Sequence, residues 1–385
     1  MQADLMIDLF KYRLPFKTPF HTAGGTLSYR EGILIHYRGS ECDAVSEIAP
    51  LPGISKESTA DAQSCLTVNF PKIHRLLQAS ETLRELSAGM ETLDLPPSVQ
   101  FGISTAGTAL IAQRSQTPVH HLLDCKLNSP VRVNAVIGLQ HNKRELLDRI
   151  EASYHQGYRT LKLKCGNPPG LLPEAIRTAS ARFPDLHFRV DANRSWPADR
   201  AKEYFTLFDS LPVEYFEEPV AITHPGQLRE LRALSPVPIA LDESVRTREQ
   251  LNQFLYRPDG IPADILVLKP MLFGNILDLF ETIRRHNSLL NKPDTRSHKT
   301  NMKTNWILTT SFESGVGRKI LESIAGMIGT PEYAHGLDTG RYFENDLLPL
   351  SAGQAVYRPE SSTNWGVDFK QCNSEYFVHL QSYEP

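Results

Sequence analysis

Apolar and polar residues alternate near the start of the chain and then recur with helical spacing. DLMIDLFKYRLPF and GILIHYRGSECDAVSEIAP alternate as antiparallel strands do. Between them, HTAGGTLSYRE is polar and contains glycines, which predicts a mobile loop. Helical spacing follows over about residues 57–77, 80–91 and 98–114. The pattern predicts an α+β domain over residues 1–125.

From about residue 128, short apolar runs alternate with amphipathic segments. The runs are VRVNAVIG, TLKLKCG, LHFRVDAN, VEYFEEP, VPIALDES, DILVLKP and WILTTSFES. Segments such as KRELLDRIEASYHQG and NILDLFETIRRHN have helical periodicity and separate these runs. The alternation predicts a parallel sheet built from β/α units.

A charged residue ends each of five consecutive runs, at intervals of 25 to 27 residues: Lys164, Asp191, Glu217, Asp242 and Lys269. This regularity favours a closed barrel, whose functional side chains gather at the carboxyl ends of all its strands. We therefore predict a barrel domain over residues 126–341, interrupted by a long polar insertion at 287–304. The tail from about 342 to 385 is expected to rejoin the first domain.

Composition narrows the class of protein. Hydrophobic residues make up 41% of the chain and charged residues 22%, and the net charge is -3, which gives no basic patch for nucleic acid or membranes. The start, MQADLMIDLF, has acidic residues and no apolar core of a signal peptide. The five scattered cysteines form no CxxC pair, which indicates reduced thiols in the cytoplasm. Together these features argue against a nucleic-acid-binding, membrane-bound or disulfide-framed protein, and no obligate protein partner is evident.

Three of the charged strand ends are carboxylates, Asp191, Glu217 and Asp242. Each alone is compatible with ordinary capping of a strand end. As a set they converge at one barrel mouth, where like charges so close do not all stay ionised without a cation. Mg²⁺ prefers oxygen ligands and leaves positions for a substrate oxygen, so the set predicts a magnesium site.

The stretch RTLKLKCG places Lys162 and Lys164 in an otherwise apolar strand, and alternate residues of a strand share one face. A lone strand lysine is often an edge-strand safeguard against aggregation, but a central barrel strand has no edge. Lys269 faces the same mouth from the opposite wall. Burial, a neighbouring ammonium and a metal ion all lower the pKa of a lysine, so one of the pair is expected to act as a base while the other keeps its charge.

These residues resemble the enolase superfamily, and within it the muconate-lactonising subgroup. Its K-x-K motif corresponds to Lys162 and Lys164, and its second catalytic lysine to Lys269. Its metal ligands correspond to Asp191 in RVDAN, Glu217 in FEEP and Asp242 in LDES. The resemblance covers nearly the whole chain. It implies a modified TIM barrel, with seven β/α units and a final strand, beneath an α+β N-terminal capping domain.

Three further segments are similar to the dehydrating lyases of menaquinone or phylloquinone biosynthesis: SEIAPLPGISKES, TTSFESGVG and GLDTGRYFENDL. The resemblance implies a syn dehydration of a small carboxylate substrate bound to Mg²⁺, with Mn²⁺ able to substitute. In this scheme Lys164 transfers the protons and Lys269 stabilises charge from the opposite face. Lys162 contacts the substrate carboxylate.

Other polar residues are candidates for binding or orientation. Asn193 and Glu243 are expected to orient the metal ligands. Ser311, with Thr309 and Thr310, is expected to bind the distal part of the substrate. Each of these five is equally compatible with a satisfied polar group at a strand end. Arg30, in the predicted 20–30 loop, is expected to close over the substrate, and a merely solvated loop is the alternative.

Two other functions remain open at this point. An N-acylamino-acid racemase or dipeptide epimerase needs the same residues, and the ESG-type turn in TTSFESG is shared with acylamino-acid racemases. A catalytically silent binding protein with this fold is the other possibility. The presence of all five core charged residues argues against it, because a silent protein has no physical need for buried lysines.

Overall fold

The secondary structure comes from a computed structural model, which describes residues 6–22, 25–40, 42–255, 263–290, 303–348 and 354–383. The strands are β1 (Met6–Thr22), β2 (Gly25–Arg38), β3 (Asp43–Ile48), β4 (Val131–Arg132), β5 (Ala135–Ile137), β6 (Thr160–Lys164), β7 (His187–Asp191), β8 (Val213–Glu217), β9 (Ile239–Leu241), β10 (Ile265–Leu268), β11 (Asn305–Leu308), β12 (Val356–Tyr357) and β13 (Phe377–Tyr383). The α-helices are α1 (Thr59–Ala79), α2 (Leu83–Glu91), α3 (Pro97–Arg114), α4 (Val119–Leu122), α5 (Lys143–His155), α6 (Leu172–Arg182), α7 (Ala201–Thr206), α8 (Pro225–Leu234), α9 (Arg248–Leu255), α10 (Pro270–Phe273), α11 (Ile276–Leu290) and α12 (Gly315–Ile328). Among the described residues, none of these helices combines the length and apolarity needed to cross a membrane.

The N-terminal part of the chain forms an antiparallel sheet in the order β13-β1-β2-β3. Its strand β13 comes from the end of the chain and pairs with β1, with Ile7 opposite Tyr383. The tail therefore packs against the first sheet. The domain boundaries at residues 125 and 341 stay predictions.

The expected loop at HTAGGTLSYRE is wrong for its described residues. β1 continues to Thr22 and β2 begins at Gly25, and these two residues pair with each other. Ala23 and Gly24 lie outside the described residues. Residues 25 to 29 are exposed or half-buried, so no apolar alternation in the sequence marks them as strand. Backbone pairing alone extends the hairpin.

Helix α3 joins the first sheet to the barrel. Gly102 packs so closely on β3 that a Cβ there would lie 2.4 Å from Ile48 Cγ1. Elsewhere on α3, the Ser104 hydroxyl accepts a hydrogen bond from Ile276 N of α11 at 3.1 Å. Because α3 contacts structure on several sides, it is buried along nearly its whole length.

Parallel strands follow one another in the order β5-β6-β7-β8-β9-β10-β11. The gap between β11 and the segment that leads into β5, the first strand of the barrel sheet, is closed by two residues, His335 and Gly336. Gly336 N donates to Leu308 O at 2.8 Å, and His335 N donates to Arg132 O at 2.8 Å. This closure confirms the predicted modified barrel, in which two isolated β-bridges at His335 and Gly336 take the place of the final strand.

The predicted insertion at 287–304 begins within a helix, because α11 extends to Leu290. Residues 291–302 lie outside the described residues. The role of the insertion stays untested.

Below the mouth, the barrel interior holds a buried arginine. Arg189 is fully buried and donates to Glu214 Oε2 at 2.7 Å, Asn134 Oδ1 at 3.0 Å and Ala334 O at 2.8 Å. The pairing of β7 with β8 shifts register beside it, which gives Glu214 an irregular position between paired residues. Buried apolar side chains form a small core cluster in the barrel interior: Tyr215, Ala240, Ile265, Val267 and Ile307.

Arg189→Met is expected to destabilise the protein by about 3 kcal/mol, because it leaves the largely buried Glu214 and Asn134 without their partner. Urea unfolding followed by circular dichroism measures the change. Arg182→Met is the matched control, since Arg182 is exposed and pairs with Glu151 at 2.5 Å. Exposed pairs contribute about 0–1 kcal/mol. Equal losses in the two variants would contradict a structural role for the buried arginine.

Candidate active site

The five core charged residues lie together at the carboxyl ends of the barrel strands. Lys164, Asp191 and Glu217 are the last residues of β6, β7 and β8, and they stand level with one another in the strand register. Asp242 and Lys269 directly follow β9 and β10. Parallel barrel strands bring these ends to one mouth.

Lys162 and Lys164 point to the same side of β6 and contact the same carboxylate. Lys162 Nζ lies 2.8 Å from Asp191 Oδ2 and 2.6 Å from Glu217 Oε1. Lys164 Nζ also lies 2.8 Å from Asp191 Oδ2. The side chain of Lys162 is 13% exposed and that of Lys164 is 34% exposed. Lys164 is therefore the one of the pair that is more open to a ligand in the mouth.

On the opposite wall, the Lys269 ammonium forms an ion pair with Asp242 Oδ1. Strands β7, β8 and β9 separate it from the two lysines of β6. Ammonium groups therefore approach the three carboxylates from both sides of the mouth.

Burial and these ammonium groups set the ionisation of the carboxylates. Burial opposes ionisation of Asp191, but Lys162 and Lys164 outweigh it and hold the pKa of Asp191 well below its usual range. Burial likewise opposes ionisation of Asp242, whose pKa is lowered by Lys269 and Lys162. Glu217 differs, because its burial prevails over the attraction of Lys162. With Asp191 and Asp242 adding to the effect, the pKa of Glu217 rises to about 8.

The same contacts govern Lys162. Burial favours its neutral form, but Asp191, Glu217 and Asp242 prevail and raise the pKa of Lys162 well above its usual value. Lys162 thus has the character expected of the lysine that keeps its charge.

The donor set at the mouth fits a hard divalent cation. Glu217 Oε2 is buried and has no hydrogen-bond partner among the described residues. With Asp191 and Asp242 it would offer three carboxylates, the ligand type that Mg²⁺ prefers. In the described part of the chain, no three acidic, histidine or cysteine side chains are already arranged as a metal cluster. The lysine ammonium groups hold these carboxylates instead.

Asn193 links several groups of the mouth. Its side-chain oxygen accepts from Lys164 Nζ at 2.8 Å, and its Nδ2 donates to Glu243 Oε1 at 2.9 Å. Its backbone N donates to Asp191 Oδ1 at 3.0 Å. The structure thus brings Asn193 and Glu243 into the network around the core residues, as expected for orienting groups.

Glu218 is a residue of this network that the sequence analysis missed. It is fully buried, and its Oε1 accepts from Asp242 N at 3.1 Å and Ser244 N at 2.6 Å. Its Oε2 accepts from Arg194 Nε at 3.1 Å. Glu218 therefore fixes the backbone that carries Asp242. The doubled glutamate in FEEP was an available signal.

Ser311 lies just beyond the seventh barrel strand. Its backbone N donates to Glu313 Oε2 at 2.6 Å, while its buried hydroxyl has no partner among the described residues. The neighbouring threonines are bonded within the barrel wall, Thr310 to Thr339 at 2.9 Å and Thr309 to Gly336 O at 3.1 Å. Of the three hydroxyls, only that of Ser311 has no hydrogen-bond partner among the described residues.

The expectation that Arg30 closes over the substrate does not hold. Arg30 is 1% exposed, and its guanidinium donates to backbone carbonyls. It bonds Phe312 O at 3.0 Å, Pro50 O at 2.7 Å, Glu31 O at 2.9 Å, and also Ala49 O. Through these buried hydrogen bonds, Arg30 links the first sheet to the barrel. The sequence did not show it, because apart from Glu31 O these partners are backbone groups 19 to 282 positions away along the chain.

Comparison with known families matches both parts of the chain. Residues 145–281 match the enolase C-terminal domain-like family, and residues 5–110 match the MenC N-terminal domain. The o-succinylbenzoate synthase of Pectobacterium atrosepticum is 27% identical over 368 residues, which cover 92% of this chain and 94% of that protein. The o-succinylbenzoate synthase of Haemophilus influenzae is 27% identical over 359 residues, covering 90% and 93%.

Solved structures share the whole fold. A probable mandelate racemase from Alicyclobacillus acidocaldarius superposes with a TM-score of 0.79 at 22% identity, covering 99% of both chains. A dipeptide epimerase from Enterococcus faecalis, solved with Mg and the dipeptide L-Leu-L-Tyr, superposes with a TM-score of 0.77 at 15% identity, covering 94% of this chain and 99% of that one. The two family matches and these relatives confirm the predicted resemblance: the chain combines an enolase C-terminal domain-like region with a MenC N-terminal domain.

Proposed function

We propose that this protein is an o-succinylbenzoate synthase, a hydro-lyase of menaquinone or phylloquinone biosynthesis. Its reaction is the syn dehydration of 2-succinyl-6-hydroxy-2,4-cyclohexadiene-1-carboxylate to o-succinylbenzoate. The observation that carries the proposal is the match of residues 5–110 to the MenC N-terminal domain, joined to a barrel whose Lys164 and Lys269 face a buried carboxylate cluster. The MenC-type N-terminal domain and the relatives named o-succinylbenzoate synthase support this choice of substrate.

Asp191, Glu217 and Asp242 would hold the metal. Mg²⁺ bound there would supply positive charge to the substrate carboxylate and so make the adjacent proton more acidic. The magnesium in solved structures of other superfamily members supports this part of the proposal, and Mn²⁺ is expected to substitute.

Four side chains would carry out the proton transfers, the charge stabilisation and the substrate binding. Lys164 takes the proton from the ring carbon next to the carboxylate, and its ammonium then returns a proton to the departing hydroxyl, which leaves as water. Lys269 keeps its charge and stabilises the electron-rich intermediate from the other wall. Lys162, whose pKa the neighbouring carboxylates raise despite its burial, contacts the substrate carboxylate. Ser311 offers its hydroxyl to the succinyl tail.

The alternative is an N-acylamino-acid racemase or dipeptide epimerase. The opposed placement of Lys164 and Lys269 supports it, because racemisation needs a proton acceptor and a proton donor on opposite faces of one carbon. The fold shared with the dipeptide epimerase is compatible with this alternative as well. In either case we place the enzyme in the cytoplasm, where its five free thiols stay reduced.

A direct ultraviolet assay of the purified protein tests the proposal. With Mg²⁺ present, we expect the cyclohexadiene substrate to be converted to the aromatic product much faster than N-succinyl amino acids of either hand are racemised, as followed by polarimetry. The same assay after metal removal gives the background rate. Rapid racemisation with slow dehydration would refute the lyase and support the alternative.

A further inference from the structure

We propose that Glu47 and Arg30, from the N-terminal sheet, are positioning residues that hold the β11–α12 turn (residues 309–317) in its substrate-binding form. The proposal rests on the proposed function, because it takes Ser311 in this turn to contact the substrate. It gives the N-terminal domain a role in shaping the barrel mouth.

Glu47 holds the start of α12. It is fully buried in β3, and its Oε1 accepts from Ser314 N at 2.9 Å. Its Oε2 accepts from the Ser314 hydroxyl at 2.5 Å and from Gly317 N at 2.7 Å. The first amide groups of a helix lack partners within the helix and favour a negative charge. Here that charge is supplied by a residue more than two hundred positions earlier in the chain.

Arg30 holds the middle of the same turn. Its Nε donates to Phe312 O at 3.0 Å, and the Phe16 ring of β1 packs edge-on against the Phe312 ring at 5.8 Å. Phe312 has a φ of 60°, a left-handed conformation that is unfavourable for a bulky residue. Such a conformation persists only where surrounding structure enforces it. The N-terminal sheet supplies part of that enforcement.

Ser311 is adjacent to the strained residue and lies within the held turn. Because Phe312 directly follows it, relaxation of the Phe312 backbone would reorient Ser311 and its buried hydroxyl. The residues that directly follow Ser311 are held by hydrogen bonds from the N-terminal sheet, from Arg30 to Phe312 O and from Ser314 N and Gly317 N to Glu47. We therefore infer that the position of Ser311 depends on the N-terminal sheet.

Glu47→Gln tests the inference. The amide NH₂ of glutamine cannot accept the hydrogen bonds that one carboxylate oxygen accepts, so the turn should loosen without a large change of volume. We expect a roughly tenfold or greater loss in kcat/KM, within the range for losing an orienting contact, and carried mainly by KM. The affinity for Mn²⁺, measured by titration, should not change. Amide hydrogen exchange of the peptide spanning residues 309–318 should become faster.

Glu57→Gln is the matched control. Glu57 Oε1 accepts from Ser98 N at 2.8 Å in the first turn of α3, so this change also removes a carboxylate from a helix start. We expect a lower melting temperature with no change in KM or in exchange at residues 309–318. If Glu47→Gln does not fold, Ser314→Ala removes one of the same contacts and should change both readouts in the same direction, by less.

The two readouts separate this inference from the proposed function. If wild-type protein does not dehydrate the cyclohexadiene, the proposed function fails, and exchange in the turn still decides whether Glu47 holds it. Wild-type exchange and wild-type KM in Glu47→Gln would overturn the inference. The same shifts in both glutamine variants would also overturn it, since they would reflect general loss of stability.

Discussion

Replacing Lys164 with alanine is expected to remove the dehydration almost completely, whereas Lys269→Ala should leave a weak residual rate. In a syn elimination one group takes the proton and assists the departing hydroxyl. Each of these transfers depends on Lys164, and general acid–base catalysis contributes about 10²–10⁴ in rate. Lys269 contributes charge alone, and loss of one such stabilising group costs about 10²–10³. Steady-state rates by the ultraviolet assay measure both losses.

Proton exchange in D₂O distinguishes this division of roles from that of a racemase. In a racemase each lysine serves one enantiomer, so either alanine variant would stop turnover while exchange of one hand of an N-succinyl amino acid persists. In the lyase, Lys269 keeps its proton, so only the hand whose α-proton faces Lys164 should exchange, and Lys164→Ala should lose that exchange. Lys143→Ala is the control, because Lys143 forms an exposed ion pair with Glu174 that involves none of the five core residues. Equal losses in Lys164→Ala and Lys269→Ala would contradict the assignment.

The barrel and its charged mouth followed from local sequence rules. Strand alternation fixes that Lys162 and Lys164 share a face, and the near-constant spacing of charged residues fixes that they meet the carboxylates at one end. The first rule depends on neighbouring residues of one strand, and the second on the length of one β/α unit. Both can therefore be applied to the sequence alone.

The contacts between the two parts of the chain were not predictable in this way. The polar neighbours of Arg30 predict a solvent-facing loop, yet Arg30 is buried against carbonyl groups of Ala49, Pro50 and Phe312. Glu47 lies in the buried strand β3 and meets α12 through long-range contacts that leave no periodic pattern. Buried polar residues of this kind are satisfied by partners that only the fold supplies.

The closing strand shows a different limit. His335 and Gly336 complete the barrel through backbone hydrogen bonds, and a segment of this length carries no strand periodicity. The resemblance to the enolase superfamily implied a final strand, whereas the hydrophobic pattern of the chain did not locate it.

Removal of divalent metal is expected to abolish activity, and added Mg²⁺ or Mn²⁺ should restore it. Lys162, Lys164 and Lys269 form ion pairs with Asp191, Glu217 and Asp242, so the protein itself supplies counter-charges to these carboxylates. These pairs stabilise the fold of the mouth. The positive charge that activates the substrate carboxylate, however, would come from the metal ion. The protein should therefore stay folded after EDTA treatment, with unchanged circular dichroism, while the dehydration rate falls to background.

Asp242→Asn should weaken metal binding by at least about a hundredfold, because losing even an outer contact of a metal ligand costs about 10–100-fold and here an anionic ligand itself becomes neutral. Titration with Mn²⁺ measures the affinity, and activity should recover only at high metal concentration. Asp185→Asn is the matched control, since Asp185 is half-exposed and pairs with Arg159 at 2.6 Å outside the mouth. Full activity in metal-free buffer, or wild-type Mn²⁺ affinity in Asp242→Asn, would remove Asp242 from the ligand set and with it the electrostatic basis of the proposed mechanism.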